Sequence, residues 1–457
     1  MPSLRSTRQA ALSSMHRPVA LLASLALVMA ACTGPSGGPG GSPAGSPGGA
    51  GRTPVAGKVN WVSTQLRPVE EAEKVRSQIL AGYSGQVEFI AEEEGPLQDR
   101  VKAEAQAGKG SIDVIGALHG DFATLAEAGT LTPLGDLAGS VGTIDADYLE
   151  LAKLGGDQAV YIPWMQATYI MVANKEALQY LPQGADVNAL TYEQLGAWGK
   201  AIKDATGQQK LGFPLGEKGL FHRLLQGYTY PSYTGGQVVG FESADAVKMY
   251  QDLKVIWESV HPQAQTYEFM QEPLLAGEVW VAWDHTARLI EALKARPDDF
   301  VAFPAPAGPK GRGYMPVLAG LAIPKNAPDA AGARALIEFL LKPETQTKTL
   351  QQVAFFPVVE GATSDALDPG TRLEADAVAA TQEASDAVAA LLPVGIGAKG
   401  GELNKVYRDA FTRIVLQGEA AETVLAEEAP KLQAILDAQS AACWPPDPPS
   451  DGACKIQ

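Results

Sequence analysis

From Lys58 onward, short apolar runs alternate with amphipathic stretches. KVNWVS (58–63), QVEFIA (86–91) and IDVIGA (112–117) have the length and the β-branched and aromatic content of strands. Behind Pro68, the residues Val69, Ala72, Val75 and Ile79 recur at helical spacing, and Gly82 follows them. Behind Pro96, Leu97, Val101 and Ala105 repeat every four residues, and a further short helix runs to Gly129. Repeated strand–helix units predict a parallel sheet covered on both faces.

The same alternation resumes after AVYIPWMQATYIMVANK (159–175). Thr191-Tyr192-Glu193-Gln194 is a capping box that opens a helix through Leu195, Trp198 and Ile202. Ser243 begins a longer helix with Val247, Tyr250, Leu253 and Trp257 facing inward, and GEVWVAWD (277–284) reads as a buried strand. DAAGARALIEFLLKPETQTKTLQ (329–351) gives two helices broken at Pro343, and an Ala-rich, mostly helical stretch is expected from about Thr371 to Val415. YTYPSYTGG (228–236) reads as a turn-rich loop.

The chain ends change the picture. Arg5, Arg8 and Arg17 precede an apolar run from Val19 to Ala31, the layout of a secretory signal. That run is shorter than the roughly twenty residues a membrane span needs. Met29-Ala30-Ala31-Cys32 resembles the bacterial lipobox, with Met29 where Leu is usual, so Cys32 is expected to carry lipid. Gly, Pro, Ser and Ala then dominate to residue 57, a composition that buries no core and acts as a tether. Residues 1–31 are therefore read as signal and 32–57 as tether. Export also favours a disulfide between Cys443 and Cys454, which bracket a Pro-rich loop in the 443–457 tail; no His or further Cys stands beside them to suggest a metal. The remaining length of about 400 residues suffices for two cores. A net charge of −16 without a basic cluster argues against nucleic acid as a partner. No second apolar run could span a bilayer, so lipid is the only anchor implied.

Two pattern matches carry no chemistry in their context. Gly34-Pro35-Ser36-Gly37-Gly38 fits the nucleophile-elbow pattern but lies in the tether, and Gly395-Ile396-Gly397-Ala398-Lys399-Gly400 fits a dinucleotide fingerprint without a strand before it. His16, His119, His222, His261 and His285 are scattered, and no zinc, phosphate-loop or paired-cysteine motif occurs. Glu92-Glu93-Glu94 reads as a solvated loop edge rather than a cation site. No nucleophile is paired with a base, so neither catalysis, a metal nor a cofactor is expected.

In register along the chain, GKVNWVS, VKAEAQAGKGSIDVIGALHGDFATLAEAGTLTPL, AVYIPWMQATYIMVANKEAL, LTYEQLGAWGKAI, FMQEPLLAGEVWVAWDHTARL and AGLAIPKNAPDAAGARALIEFLLKPETQ resemble the family 1 extracellular solute-binding proteins of bacterial ABC importers, a family that includes maltose-binding protein. The resemblance covers nearly the whole body, although Tyr192 replaces a usual Trp. It implies a two-lobed α/β fold of the periplasmic-binding-protein type II class, with a ligand cleft between lobes joined by several crossings. The division expected is 58–164 with 315–357 as lobe I, and 165–314 with 358–442 as lobe II. Crossings are expected near Ile162–Gln166, Ala305–Pro316 and Phe355–Gly361. The implied role is a monomeric, lipid-anchored, extracytoplasmic receptor at the cell surface or in the periplasm. It would pass a mono- or oligosaccharide to ABC permease subunits.

Sugar sites combine aromatic planes with planar polar groups. Strand ends place Ser63, Gln65, His119, Asp121, Trp164, Gln166, Tyr169, Trp283, Asp284, Arg288 and Tyr314 as candidate ligand contacts, with Asn404 and Tyr407 beyond them. Ala117 stands where maltose-binding protein stacks a tryptophan, which argues against a maltodextrin-like pose. Two other readings stay open: a polyamine or metal-ion receptor using Asp121 and Asp284 or the tyrosines of 228–233, and a glycan-acting enzyme using Asp121 with Asp284.

Overall fold

Among the described residues twelve strands follow in chain order: β1 (Lys58–Ser63), β2 (Gln86–Ala91), β3 (Val114–Leu118), β4 (Ile162–Ala167), β5 (Tyr169–Asn174), β6 (Leu211–Gly212), β7 (Val281–His285), β8 (Phe300–Phe303), β9 (Arg312–Tyr314), β10 (Val317–Ala322), β11 (Phe356–Pro357) and β12 (Ala387–Ala389). The computed structural model describes residues 57–144, 146–362 and 367–457. The signal run, Cys32 and the tether before residue 57 lie outside the described residues.

The larger sheet has the order β11-β4-β10-β3-β1-β2 and forms lobe I. β1, β2 and β3 are parallel, as the strand–helix repeat predicts, but β10 runs antiparallel to both β3 and β4. The difference has a simple cause. β4 leaves this sheet for the other lobe while β10 returns from it, so the two must point in opposite directions. The smaller sheet, β6-β7-β5-β8, is mostly antiparallel and forms lobe II, with β12-β9 beside it.

The first crossing falls at Thr168, just beyond the expected Ile162–Gln166, because β4 stays paired with β10 through Ala167. Thr168 Oγ1 donates to the Met315 carbonyl at 3.0 Å and lies 3.0 Å from the Tyr228 hydroxyl. Tyr228 in turn accepts from the Tyr169 N–H at 2.9 Å and donates to the Tyr169 carbonyl at 3.0 Å. The second crossing lies in 304–316, between β8 and β10, and the third in the stretch that follows β11. The two strands that meet at Thr168 are thereby pinned to the second crossing.

Both cores follow the sequence periodicity. In β10 all six residues are buried, and Gly320 is required there: a Cβ would lie 2.2 Å from the Tyr161 ring. The Thr191 capping box forms, and Leu195, Trp198 and Ile202 are buried. In the helix Ala244–Trp257 the buried face is Ala246, Met249, Tyr250, Leu253 and Ile256, rotated slightly from the expected one, and Val247 and Trp257 are only partly buried. Val69 is 72% exposed although Ala72, Val75 and Ile79 behind it are buried. YTYPSYTGG is not a loop but helical, with Tyr228, Tyr230 and Tyr233 in the core. The stretch from Thr371 to Val415 is helical only at its ends, since β12 and an irregular segment separate Pro369–Gln382 from Gly400–Phe411.

Cys443 and Cys454 are joined by a disulfide, and the tail they close docks on lobe II. The Asp447 carboxylate accepts the backbone N–H groups of Gln237, Val238 and Val239 at 2.6, 3.0 and 2.8 Å.

Candidate functional site

The carboxyl ends of β1, β2 and β3 point toward lobe II, where β5 begins and β7 ends, so that Tyr169 and His285 are register partners at its rim. Between them lies a cleft of about 320 Å³ lined from both lobes. Lobe I contributes the loop Thr64–Pro68 after β1, then Glu71, Glu93, Glu94, Leu118 and Asp121. Lobe II contributes Tyr169, His222, Arg223, His285, Arg288 and Asn404. A smaller annex of about 50 Å³ continues past Asp121, Glu94, Arg223 and Asn404 to the loop around Gly397. The lobes also touch outside the cleft, where Lys74 pairs with Glu291 at 3.2 Å.

Local geometry sets each lining group. The Ser63 hydroxyl accepts the Gln65 N–H at 3.0 Å and donates back to the Gln65 carbonyl, which turns the chain sharply after β1. Leu66, at φ 57°, holds a left-handed conformation that a branched side chain seldom adopts, so this wall is strained backbone. Asp121 accepts the Leu118 N–H at 3.1 Å, capping the helix His119–Glu127. Asp121 and Glu94 hydrogen-bond to each other, and burial followed by their mutual repulsion holds Asp121 well above the usual carboxylate range. Burial likewise raises Glu94, and raises Glu71 to about 7 against the opposing pull of Arg288. His285 is driven down to about 3 by burial and by Arg288, so its imidazole is neutral. It is fixed as a helix cap, Nδ1 accepting the Ala287 N–H at 3.2 Å.

Of the candidates read from sequence, the structure brings Gln65, Asp121, Tyr169, Arg288 and Asn404 to the cleft. Ser63 is buried and shapes the loop that carries Gln65. His119 is buried against the Tyr161 hydroxyl at 2.8 Å, and burial lowers it to about 4. Trp164 is fully buried, edge-on to Trp61 at 5.1 Å, and Gln166 ties β4 to the Pro357 carbonyl. Trp283 is fully buried behind Tyr169, the two rings stacked at 4.8 Å. Asp284 is also fully buried, accepting the Met270 and His285 N–H groups at 3.0 and 2.7 Å. Neither residue lines the cleft, because alternate side chains of a strand leave opposite faces and β7 is covered on both. Tyr314 sits half-buried on β9 away from the lining, and Tyr407 is buried with its hydroxyl on the Gln237 carbonyl.

Sequence reasoning passed over Glu71, Glu93, Glu94, His222, Arg223 and His285, all of which line the cleft. The run Glu92-Glu93-Glu94 is no uniform solvated edge: Glu93 pairs with Arg67 and Glu94 turns inward to Asp121. A signal was present at Arg223, a charge following His222 within the apolar run GLFHRLLQ.

The model of the bacterial extracellular solute-binding protein family matches residues 84–347, more than half of the chain. The chain belongs to this family. Solved relatives share its two-lobed fold. The GacH receptor of Streptomyces glaucescens, solved unliganded and with acarbose, is 19% identical over 84% of this chain and 99% of its own, with a TM-score of 0.65. Maltose-bound MalE3 of T. maritima is 18% identical over 83% and 100%, with a TM-score of 0.67. UgpB of Mycobacterium tuberculosis in complex with glycerophosphocholine is 20% identical over 84% and 99%, with a TM-score of 0.64. No curated protein sequence matches the chain. Together these comparisons show the family and the two-lobed fold.

Proposed function

We propose that this protein is the extracytoplasmic receptor of an ABC importer, held at the membrane by lipid on Cys32, and that it captures a carbohydrate between its lobes for delivery to permease subunits. The observation that carries this reading is a cleft in which Gln65, Asp121, Tyr169, Arg288 and Asn404 converge from both lobes. Carboxyls and a guanidinium take hydroxyl groups in bidentate fashion, and the edge of the Tyr169 ring offers an apolar face. Closure of lobes around a ligand suits chains joined by several crossings. The ligands of GacH and MalE3, acarbose and maltose, support the carbohydrate class. A glycan-acting enzyme built on Asp121 and Asp284 is not favoured, since Asp284 is buried beneath backbone donors and away from the cleft. The test is calorimetry on the purified mature protein with mono- and oligosaccharides, a polyamine and ferric ion. Saturable sugar binding, weakened about five- to a hundredfold in Asp121→Ala, is the expected outcome. Saturable polyamine or iron binding with no sugar bound would replace the reading.

A further inference from the structure

Arg223 and Arg288 stand on the lobe II wall of the cleft with no carboxylate in ion-pair distance among the described residues. Each is instead held by neutral acceptors. Arg223 Nη1 donates to Gln226 Oε1 at 3.0 Å. Arg288 Nη1 donates to the Lys218 and Glu268 carbonyls at 2.9 and 3.2 Å, and its guanidinium lies 4.6 Å from the centre of the Phe269 ring. Anchored in this way, both forks keep N–H groups available to the cleft. His222 lies beside them, only 6% exposed, and its Nδ1 has no partner. Two positive charges in a partly dehydrated cleft, neither in a close ion pair, are unfavourable until an anion arrives.

We infer that the ligand carries an oxyanion, a phosphate or carboxylate on a hydroxylated chain, seated on the lobe II wall between Arg223 and Arg288. The inference rests on the solute-capture reading above and narrows its ligand from neutral sugar to an acidic or phosphorylated saccharide or polyol. Guanidinium forks match both oxyanions geometrically. The Tyr169 hydroxyl, which feels both arginines, adds a donor at the same wall. The carboxyls facing them across the cleft repel such a ligand least below neutral pH. Glu93 is paired with Arg67, burial raises Glu94 and Asp121, and burial raises Glu71 to about 7. Glu71, Glu94 and Asp121 are left for the ligand's hydroxyls. Raising the pH ionises Glu71, which faces Arg288 and neighbours Lys74 and Glu70; the Glu94–Asp121 pair, also raised by burial, faces Arg223 and Arg67. Anion affinity therefore falls as pH rises above about 7.

Calorimetry on the mature protein with matched probes tests this: glucose, glucose 6-phosphate and glucuronate; glycerol and glycerol 3-phosphate; and spermidine. At least one anionic probe should bind about tenfold or more tightly than its neutral parent, with the gap shrinking in high salt. The phosphate and carboxylate arms identify the oxyanion. Arg223→Gln and Arg288→Gln should each close the gap, with circular dichroism unchanged. Arg223→Gln keeps the test decisive if loss of the carbonyl contacts unfolds the Arg288 variant. In the wild type the His222 imidazole should also shift toward protonation on binding, read by NMR. A neutral parent binding as tightly as its acid, or a gap that survives in Arg223→Gln, overturns the inference and leaves capture of a neutral carbohydrate standing. Binding of no anionic probe overturns the inference, and binding of spermidine alone overturns both readings.

Discussion

Tyr169 and Trp283 lie ring on ring, but only Tyr169 borders the cleft. The stack makes Trp283 a support: its other edge meets Tyr228, whose hydroxyl pins the backbone at the crossing. Trp283→Ala should therefore cost about 3–5 kcal/mol of stability, measured by urea unfolding, with any loss of binding following the loss of fold. Tyr169→Phe, by contrast, should change binding with little change in the unfolding midpoint. Asp284 carries a second consequence. Burial raises its carboxyl from 3.8 to about 7 even though two backbone N–H groups hold it down. A carboxyl raised in the folded state favours folding below its unfolded value near pH 4, and that contribution is lost as the pH climbs to about 7. The loss is on the order of 4 kcal/mol at most. Asp284→Asn should flatten the pH dependence of the unfolding free energy between about pH 4 and 7; an unchanged slope in that variant would contradict the assignment. At this scale the sequence was only half legible. Strand alternation placed Trp283 and Asp284 at the end of β7, but whether a face meets solvent or a second layer is decided by elements far away in the chain.

Elements were read more surely than residues. Pro-led or capped helices and β-branched runs state their own limits, as at Thr191, Ser243 and Pro343. Misreadings occurred where tertiary contacts overrode local signals. Pro231 and the glycines of YTYPSYTGG suggested turns, yet Pro at the first turn of the helix Tyr230–Thr234 and Gly235 at its left-handed end delimit a helix. The Ala-rich stretch lost its middle to β12, which pairs with β9 at the second crossing. The tail gives the prediction proper to this scale. Asp447 satisfies three successive backbone donors of lobe II, and the disulfide holds the loop that presents it. Asp447→Ala leaves those donors buried without partners and should cost about 1–3 kcal/mol for each that water cannot reach. Reduction of the disulfide should cost on the order of 2–3 kcal/mol for so short a loop. Thermal unfolding of the variant, with and without reductant, measures both. If the two losses are less than additive, the disulfide acts by presenting Asp447.

At the scale of the whole molecule, two lobes that share several crossings can move only about those crossings, and Thr168, Tyr228 and Met315 tie two of them together. The cleft is therefore a feature of the pair of lobes, and no local motif could specify its lining. Glu71 and Glu94 from lobe I meet Arg288 and Arg223 from lobe II only once both lobes are folded. The proposed anchor belongs to the opposite case, since the grounds for it are written locally in the sequence. Cys32 follows Met29-Ala30-Ala31 and precedes a Gly/Pro/Ser-rich stretch that ends where β1 begins. In the proposed function, a receptor tethered there would stay at high local concentration beside a membrane partner, as a freely diffusing one would not. Two acyl chains on one cysteine would give stable anchoring, and among the described residues no helix is long and apolar enough to span a bilayer. Cys32→Ala should block acylation, so that cells accumulate the uncut precursor in place of the lipid-bearing mature form. Detergent fractionation together with intact-mass measurement of the N-terminal peptide follows both species. Mature protein of normal length, still membrane-bound in the variant, would show that something other than lipid on Cys32 holds it there.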